Sequence, residues 1–293
     1  MKKAAPFLVL IAGILWGSMG IFVRKLNAAG LKSLDIVALR AFVTAAALAV
    51  FILFYDRKLF RIKIKDIWCF VGTGVCSIVF FNYCYFKSMT LTTLSVAAVL
   101  LYTAPAMVMI MSYFLFKEKF TKRKFVALVL TFSGCILVTG IVGENTTLTP
   151  VGILTGLGAG LGYALYSIFG RYALERGYNS FTISFYTFLT ASIGVIPLVN
   201  TVNIEEMVSQ NRMMIPFSIL FGLLSTVVPY ITYTIGLKYM ENGKASIIAS
   251  VEPVVATLLG VLLFHETMSI STMAGMIMVL VSIFICSKTN EKG

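Results

Sequence analysis

Glu252 is the residue of this chain best placed to do chemistry, because it lies about seven residues inside an otherwise apolar stretch, next to Pro253. A charge at the centre of a membrane helix costs ~2.5 kcal/mol or more, so such a carboxyl group needs a wet cavity or a partner. Two roles are open to it: a carrier that takes up and releases a proton during turnover, or a structural hydrogen bond to a neighbouring helix. The corresponding position earlier in the chain is Ala104, so a site built on Glu252 is asymmetric. Arg40 is a second charge within an apolar stretch, some five residues from its end. It is expected to snorkel to the nearer interface. Otherwise it holds an anionic group of a substrate or pairs with Glu252.

Aromatic residues recur in the same stretches. A tyrosine offers an apolar face and a hydroxyl, which suits amphipathic solutes such as amino acids or organic cations. Some of these rings serve packing or interfacial anchoring. The expected substrate-binding set is Trp16, Asn82, Tyr83, Tyr102, Tyr163, Tyr166, Tyr230, Tyr233 and Glu252, with Tyr85 nearby. Pro105 and Pro253 stand near the middle of their stretches and are expected to act as hinges. Each removes a donor and pushes away the carbonyl four residues earlier, at Leu101 and Ala249.

Other chemistry finds little support. With one histidine, His265, no metal site of several His ligands can be assembled. Cys69, Cys76, Cys84, Cys135 and Cys286 lie singly, without CxxC spacing, and read as small buried hydrophobes. The glycines at 156, 158, 160 and 162 depart from the dinucleotide spacing and follow no strand. Gly152, Gly156 and Gly160, four apart, instead make a narrow helix face, and Gly13 and Gly17 make another. No cofactor is expected.

The elements that must position these residues are set by the solvent. With 59% hydrophobic and 12% charged residues, and a mean hydropathy of +0.93, most of the 293-residue chain belongs in lipid. Apolar stretches at 6–23, 36–55, 67–85, 96–116, 125–142, 151–169, 181–199, 215–233, 246–264 and 272–286 predict ten spans. About 20 residues at ~1.5 Å each cross a hydrocarbon core of roughly 30 Å. Continuous apolar runs fit helices and lack the alternation of barrel strands. The first stretch follows Lys2 and Lys3 as a signal peptide would, but Arg24 and Lys25 after it act as a stop, and it is read as a retained span.

The chain also repeats itself. Pro105 to Glu118 and Pro253 to Glu266 share the spacing Pro-x12-Glu, 148 positions apart. Ile21-Phe22-x-Arg24 matches Ile168-Phe169-x-Arg171. Five spans per copy is an odd number, so the second copy enters the membrane from the opposite side. The expected fold is therefore all-α and membrane-integral, with ten transmembrane helices in two inverted five-helix repeats at 1–143 and 151–288, joined by a loop at 144–150. Glu118 and Glu266 end spans four and nine and are expected to cap or hinge.

Counting Lys and Arg between spans with the N-terminus inside places 18 of 24 on the inner side and five outside: Arg24, Lys25, Lys32, Lys87 and Arg212. This bias orients both termini toward the cytoplasm of a plasma or inner membrane. It also accounts for the net charge of +12 through anionic lipid headgroups, so no nucleic-acid partner is expected.

Trp16-Gly17-Ser18, the run Ser95 to Pro105 with Glu118, and Glu252-Pro253 with Glu266 together resemble the drug/metabolite transporter superfamily, in its EamA-type branch. The resemblance spans nearly the whole chain. It implies a central cavity, with spans five and ten peripheral, and export of amino acids, their derivatives or other small metabolites, often proton-coupled. Tyr163 stands where the family commonly has tryptophan, and Ala127 replaces a glycine that Gly275 retains. The sequence thus reads as a secondary transporter of an amino acid or related amphipathic solute, outward, by alternating access. Its expected partners are the small-molecule substrate, the lipid bilayer and, as coupling ion, protons, with the chain a monomer or homodimer. Import of a sugar or other metabolite on the same fold is the near alternative; a non-transporting membrane sensor or structural protein is another. A membrane enzyme would need catalytic constellations that this sequence does not offer.

Overall fold

The structure is a computed structural model that describes residues 2–141 and 148–287. Most of the expected connecting loop, the end of the fifth apolar stretch, and Lys288 and Lys292 lie outside the described residues. Among the described residues every regular element is helical.

Among the described residues nine helices are long and apolar enough to cross a bilayer: α1 (Lys2–Ala28), α2 (Ser33–Tyr55), α3 (Ile64–Leu91), α4 (Leu94–Phe116), α6 (Pro150–Glu175), α7 (Ser180–Leu198), α8 (Met214–Tyr239), α9 (Asn242–Phe264) and α10 (Ile270–Ser287). Between α4 and α6 lies α5 (Lys122–Val138), whose 17 residues include Lys122, Arg123 and Lys124 in the first turn. It is the shortest of the ten, about 26 Å at ~1.5 Å per residue. Helix starts are fixed by side-chain caps. Thr93, Thr121, Thr149 and Asn179 accept from the amides of Val96, Lys124, Gly152 and Phe181 at 3.0–3.3 Å. Large apolar side chains such as Phe54, Phe114 and Leu154 are exposed on the outside, as lipid contact requires.

Irregularities recur at the repeat spacing. The prolines expected to kink α4 and α9 instead open new helices. The first half of α4 ends at Leu101 and the second starts at Ala104; the first half of α9 ends at Ala249 and the second starts at Glu252. Pro105 and Pro253 therefore fall in first turns, where the missing amide has no intrahelical partner to lose. Both second halves end in a left-handed residue, Lys117 and His265 (φ 54° and 55°). The wide i→i+5 turn also occurs twice, at Gly72–Val79 in α3 and Leu223–Val227 in α8.

The broken helices rest on the glycine faces read from the sequence. A Cβ on Gly13 of α1 would lie 2.7 Å from the Ala249 carbonyl oxygen, and one on Gly17 2.6 Å from that of Glu252. On α6, a Cβ on Gly160 would lie 2.7 Å from Thr103 Oγ1 and 3.0 Å from the Leu100 oxygen. The break in each sequence half is thus seated on a helix of the other half. The same halves are clamped by two buried aspartates. Asp66 accepts from Tyr178 Oη at 2.7 Å and Arg176 Nε at 3.1 Å. Asp35 accepts from the Asn200 amide at 2.9 Å and Asn203 Nδ2 at 2.7 Å, tying down the short helix Thr201–Gln210. The α5 and α10 helices pair through the Thr131 and Ser282 hydroxyls at 2.7 Å.

Candidate functional site

Four helices close a box of aromatic rings. Trp16 of α1 lies with its ring centroid 5.1 Å from Tyr230, 5.2 Å from Tyr233 and 6.2 Å from Tyr163. The tyrosines are anchored at their polar ends: Tyr166 to Thr234 at 2.7 Å, and Tyr233 to Ser167 at 2.8 Å. Such bonds let the hydroxyls be buried while the ring faces line the cavity. Ser77, Ile78 and Phe81 of α3 complete the wall. The cavity, partly open and about 20 Å³, accommodates little more than one water. Any larger occupant requires the helices to part.

Glu252 joins this box through Tyr163, whose hydroxyl donates to Oε2 at 3.4 Å. It is the first residue of the second half of α9, so its carboxylate sits at the positive end of a helix dipole. This is how an acidic side chain is tolerated among apolar neighbours. Gly17 makes room for the backbone there, which brings Trp16 and Glu252 to one site.

The structure brings together Trp16, Tyr163, Tyr166, Tyr230, Tyr233 and Glu252 from the expected set. Tyr102 lies partly buried beside the α4 break, within electrostatic reach of Glu252 and Tyr85. Asn82 and Tyr83 are not gathered in. The Asn82 amide donates to the Ile78 carbonyl of its own helix at 2.7 Å, and Tyr83 is 46% exposed. Ser77, Ile78, Phe81 and Ser167 escaped sequence reasoning, since small and aliphatic residues carry no signal of their own and a phenylalanine lacks the polar group that singled out the tyrosines. Arg40 does not snorkel: it is 3% exposed, and its Nη1 donates to Met19 Sδ at 2.9 Å.

The outer ends of the broken helices carry the repeated glutamates. Glu118 accepts from the amides of Asn242 and Gly243 at 2.7 and 3.3 Å, capping α9 and not the helix that follows it in sequence. Buried Lys124 lies 3.8 Å from Glu118 and 3.1 Å from Glu241, which also pairs with Lys244 at 3.1 Å. Burial works against the Glu241 carboxylate, but Lys124 and Lys244 outweigh it and hold it below its ordinary range. The counterpart Glu266 pairs instead with Arg24, whose guanidinium lies over the Phe264 ring. Among the described residues no three His, Cys, Asp or Glu side chains are grouped to hold a metal.

Long apolar helices packed around a small polar and aromatic interior define a multi-pass membrane protein. The chain belongs to the EamA-like transporter family, whose model matches residues 3–140 and again 150–288. It is 27% identical over 286 residues to an uncharacterized transporter of Archaeoglobus fulgidus, covering 94% of each chain. It is 25% identical over 264 residues to the uncharacterized transporter YxxF of Bacillus subtilis, covering 88% of this chain and 81% of that one. A solved crystal structure superposes with a TM-score of 0.80 at 15% identity, over 97% of this chain and 96% of the other, which shows a shared fold.

Proposed function

We propose that this protein is a secondary transporter that moves an amino acid or related amphipathic solute outward across the plasma membrane by alternating access. In this reading α1 to α10 all span the membrane, as two inverted five-helix repeats at 1–143 and 151–288, with both termini in the cytoplasm. The observation that carries the proposal is the seating of each broken helix on the other half's glycine face, beside a narrow aromatic box. Two such halves can exchange roles, opening the box to one side and then the other. Pro105 and Pro253 serve as hinges because the backbone is already interrupted there. The binding set is Trp16, Tyr102, Tyr163, Tyr166, Tyr230, Tyr233 and Glu252, with Asn82 and Tyr83 reaching it only if α3 rotates.

Glu252 is the proposed proton carrier. A proton and a cationic group of the cargo compete for one carboxylate, which couples their movements. We read the chain as a carrier and not as an enzyme, working as a monomer or homodimer without a cofactor. The test is flux of radiolabelled L-amino acids in proteoliposomes, with and without an imposed pH gradient. Gradient-driven flux that Glu252→Gln uncouples supports the reading. If that variant keeps wild-type flux and pH dependence, Glu252 does not carry the proton.

A further inference from the structure

The two repeated glutamates share one backbone geometry and use it differently. Each follows a left-handed residue of nearly identical conformation, Lys117 (φ 54°, ψ 32°) or His265 (φ 55°, ψ 32°). Each amide donates across the turn at 3.2 Å, Glu118 to the Ser112 carbonyl and Glu266 to that of Gly260. The helix starts they could reach also correspond: α9 opens at Asn242 and α4 at Leu94, 148 positions apart, each with a first half of 8 residues. Yet Glu118 crosses to the start of α9, while Glu266 lies back against Gly260 of its own helix and pairs with Arg24 at the surface. Local structure being equal, the difference lies in how the two halves stand to one another at the two ends.

The Glu118 end is drawn tight. Buried Lys124 sits against Glu118 and Glu241, and its Nζ donates to the Lys119 carbonyl at 2.9 Å, so the end of α4, the start of α5 and the start of α9 form one knot. At the same end Arg171 donates to the Leu237 carbonyl at 2.6 Å and the Met240 carbonyl at 3.3 Å, closing α6 on the end of α8. Its repeat counterpart Arg24 is engaged with Glu266 instead. Closure at the Glu118 end has an energetic cost. Asn242 Oδ1 and Ser246 Oγ are buried in α9 without a partner, and water admitted by opening would satisfy both. A contact that leaves polar groups unsatisfied is suited to breaking and re-forming.

We propose that Glu118 and Glu266 are alternate latches. Glu118 locks its end in the state seen here; in the opposite state it releases α9, and Glu266 leaves Arg24 to cap α4 at the Leu94 amide. Arg24 keeps the second latch parked until the halves change places. This rests on the alternating-access reading above, and in the orientation given there the state seen here is closed to the cytoplasm.

The experiment measures spin-label distances by double electron–electron resonance on the full-length protein in lipid nanodiscs, with its native cysteines replaced. Labels at Lys122→Cys and Lys238→Cys report on the Glu118 end, and labels at Lys87→Cys and Met268→Cys on the Glu266 end; all four positions are exposed. Glu118→Ala is expected to raise the share of a second population about tenfold, the scale of a lost cap, longer for the first pair and shorter for the second. Asn242→Pro is expected to do the same by removing the closest donor while keeping the helix. Proline is tolerated at a first helical position, and Glu241 before it is already extended (ψ 141°). In the Glu118→Ala background, Glu266→Ala and Leu94→Pro are expected to shrink the second population equally, although they lie on different helices; Thr93 before Leu94 is likewise extended (ψ 164°). Folded Glu118→Ala and Asn242→Pro with wild-type distances overturn the latch, and amino-acid flux retained in proteoliposomes then leaves the transporter standing. A second population that Glu266→Ala and Leu94→Pro leave untouched overturns the exchange. Lengthening at the Glu118 end without shortening at the Glu266 end removes alternating access as well.

Discussion

The Glu118 carboxylate caps a helix 124 residues away, accepting from the Asn242 amide at 2.7 Å. Among the described residues its repeat counterpart Glu266 caps no helix in this way and pairs with Arg24. One end of the broken-helix pair is therefore latched and the other is held by a surface ion pair. Loss of a helix cap typically costs ~0.5–2 kcal/mol. Glu118→Ala is expected to lower the thermal midpoint of the purified protein measurably, Glu118→Gln less because it keeps one acceptor oxygen, and Glu266→Gln least. Equal midpoints for all three would show that the cap bears no load.

The Gly13 contact tests the seating of the α9 break. A side chain at Gly13 meets the Ala249 carbonyl, whereas Gly20 on the same helix has open space around it. Overpacking of this kind costs ~1–3 kcal/mol. Gly13→Leu is expected to reduce the yield of monodisperse protein and its midpoint, and Gly160→Leu to do the same at the α4 break. Gly20→Ala is the neutral comparison. Size-exclusion profiles and thermal scans read out all three.

Glu241 gives a pH dependence with a definite sign. Its folded pKa lies below the ordinary 4.5 because Lys124 and Lys244 outweigh the effect of burial. The carboxylate therefore contributes stability that is fully present above about 4.5 and is lost as pH falls through the lower, folded value. Thermal midpoints measured from pH 7 downward are expected to fall less steeply in Glu241→Gln than in wild type across that acid range. Parallel curves would show that the network adds nothing.

The α5–α10 pairing should be worth little at any one bond. Interhelical hydrogen bonds in membranes average ~0.6 kcal/mol. Thr131→Val, which removes the hydroxyl facing Ser282, is expected to shift the midpoint by only a degree or two. A large loss of folded protein would show that this pair holds the fold together.

Much of this architecture was legible in the chain. Pro105 and Pro253 fall near the middle of apolar runs at matched positions, and the glycines at 13, 17, 156 and 160 recur at helical spacing, so the helices and their close faces could be read directly. The aromatic box was legible through Trp16, Tyr163, Tyr166, Tyr230 and Tyr233 because a tyrosine or tryptophan inside a lipid-length stretch carries a polar group that needs an internal partner. What sequence could not supply was rotation. Arg40 lies near enough to a span end to snorkel, and only the face of α2 that packs on α8 turns it inward. Tyr83 and Asn82 differ from Phe81 by a fraction of a helical turn, and the wide turn of α3 brings Phe81 to the wall. The breaks at Thr103 and Val251 read as kinks because a proline looks the same in the middle of a bent helix and at the start of a new one.

The central claim is that two inverted halves share one hollow, and sided labelling tests it most directly. In a variant with Cys69, Cys76, Cys84, Cys135 and Cys286 replaced, a single cysteine at Lys58, after α2, and another at Gln210, after α7, occupy exposed sites at corresponding points of the two halves. A membrane-impermeant thiol reagent applied to intact cells is expected to label the Gln210 position and not the Lys58 position, with the reverse in inside-out vesicles. Labelling of both positions from the same side would contradict inverted repeats, and with them alternating access through this hollow.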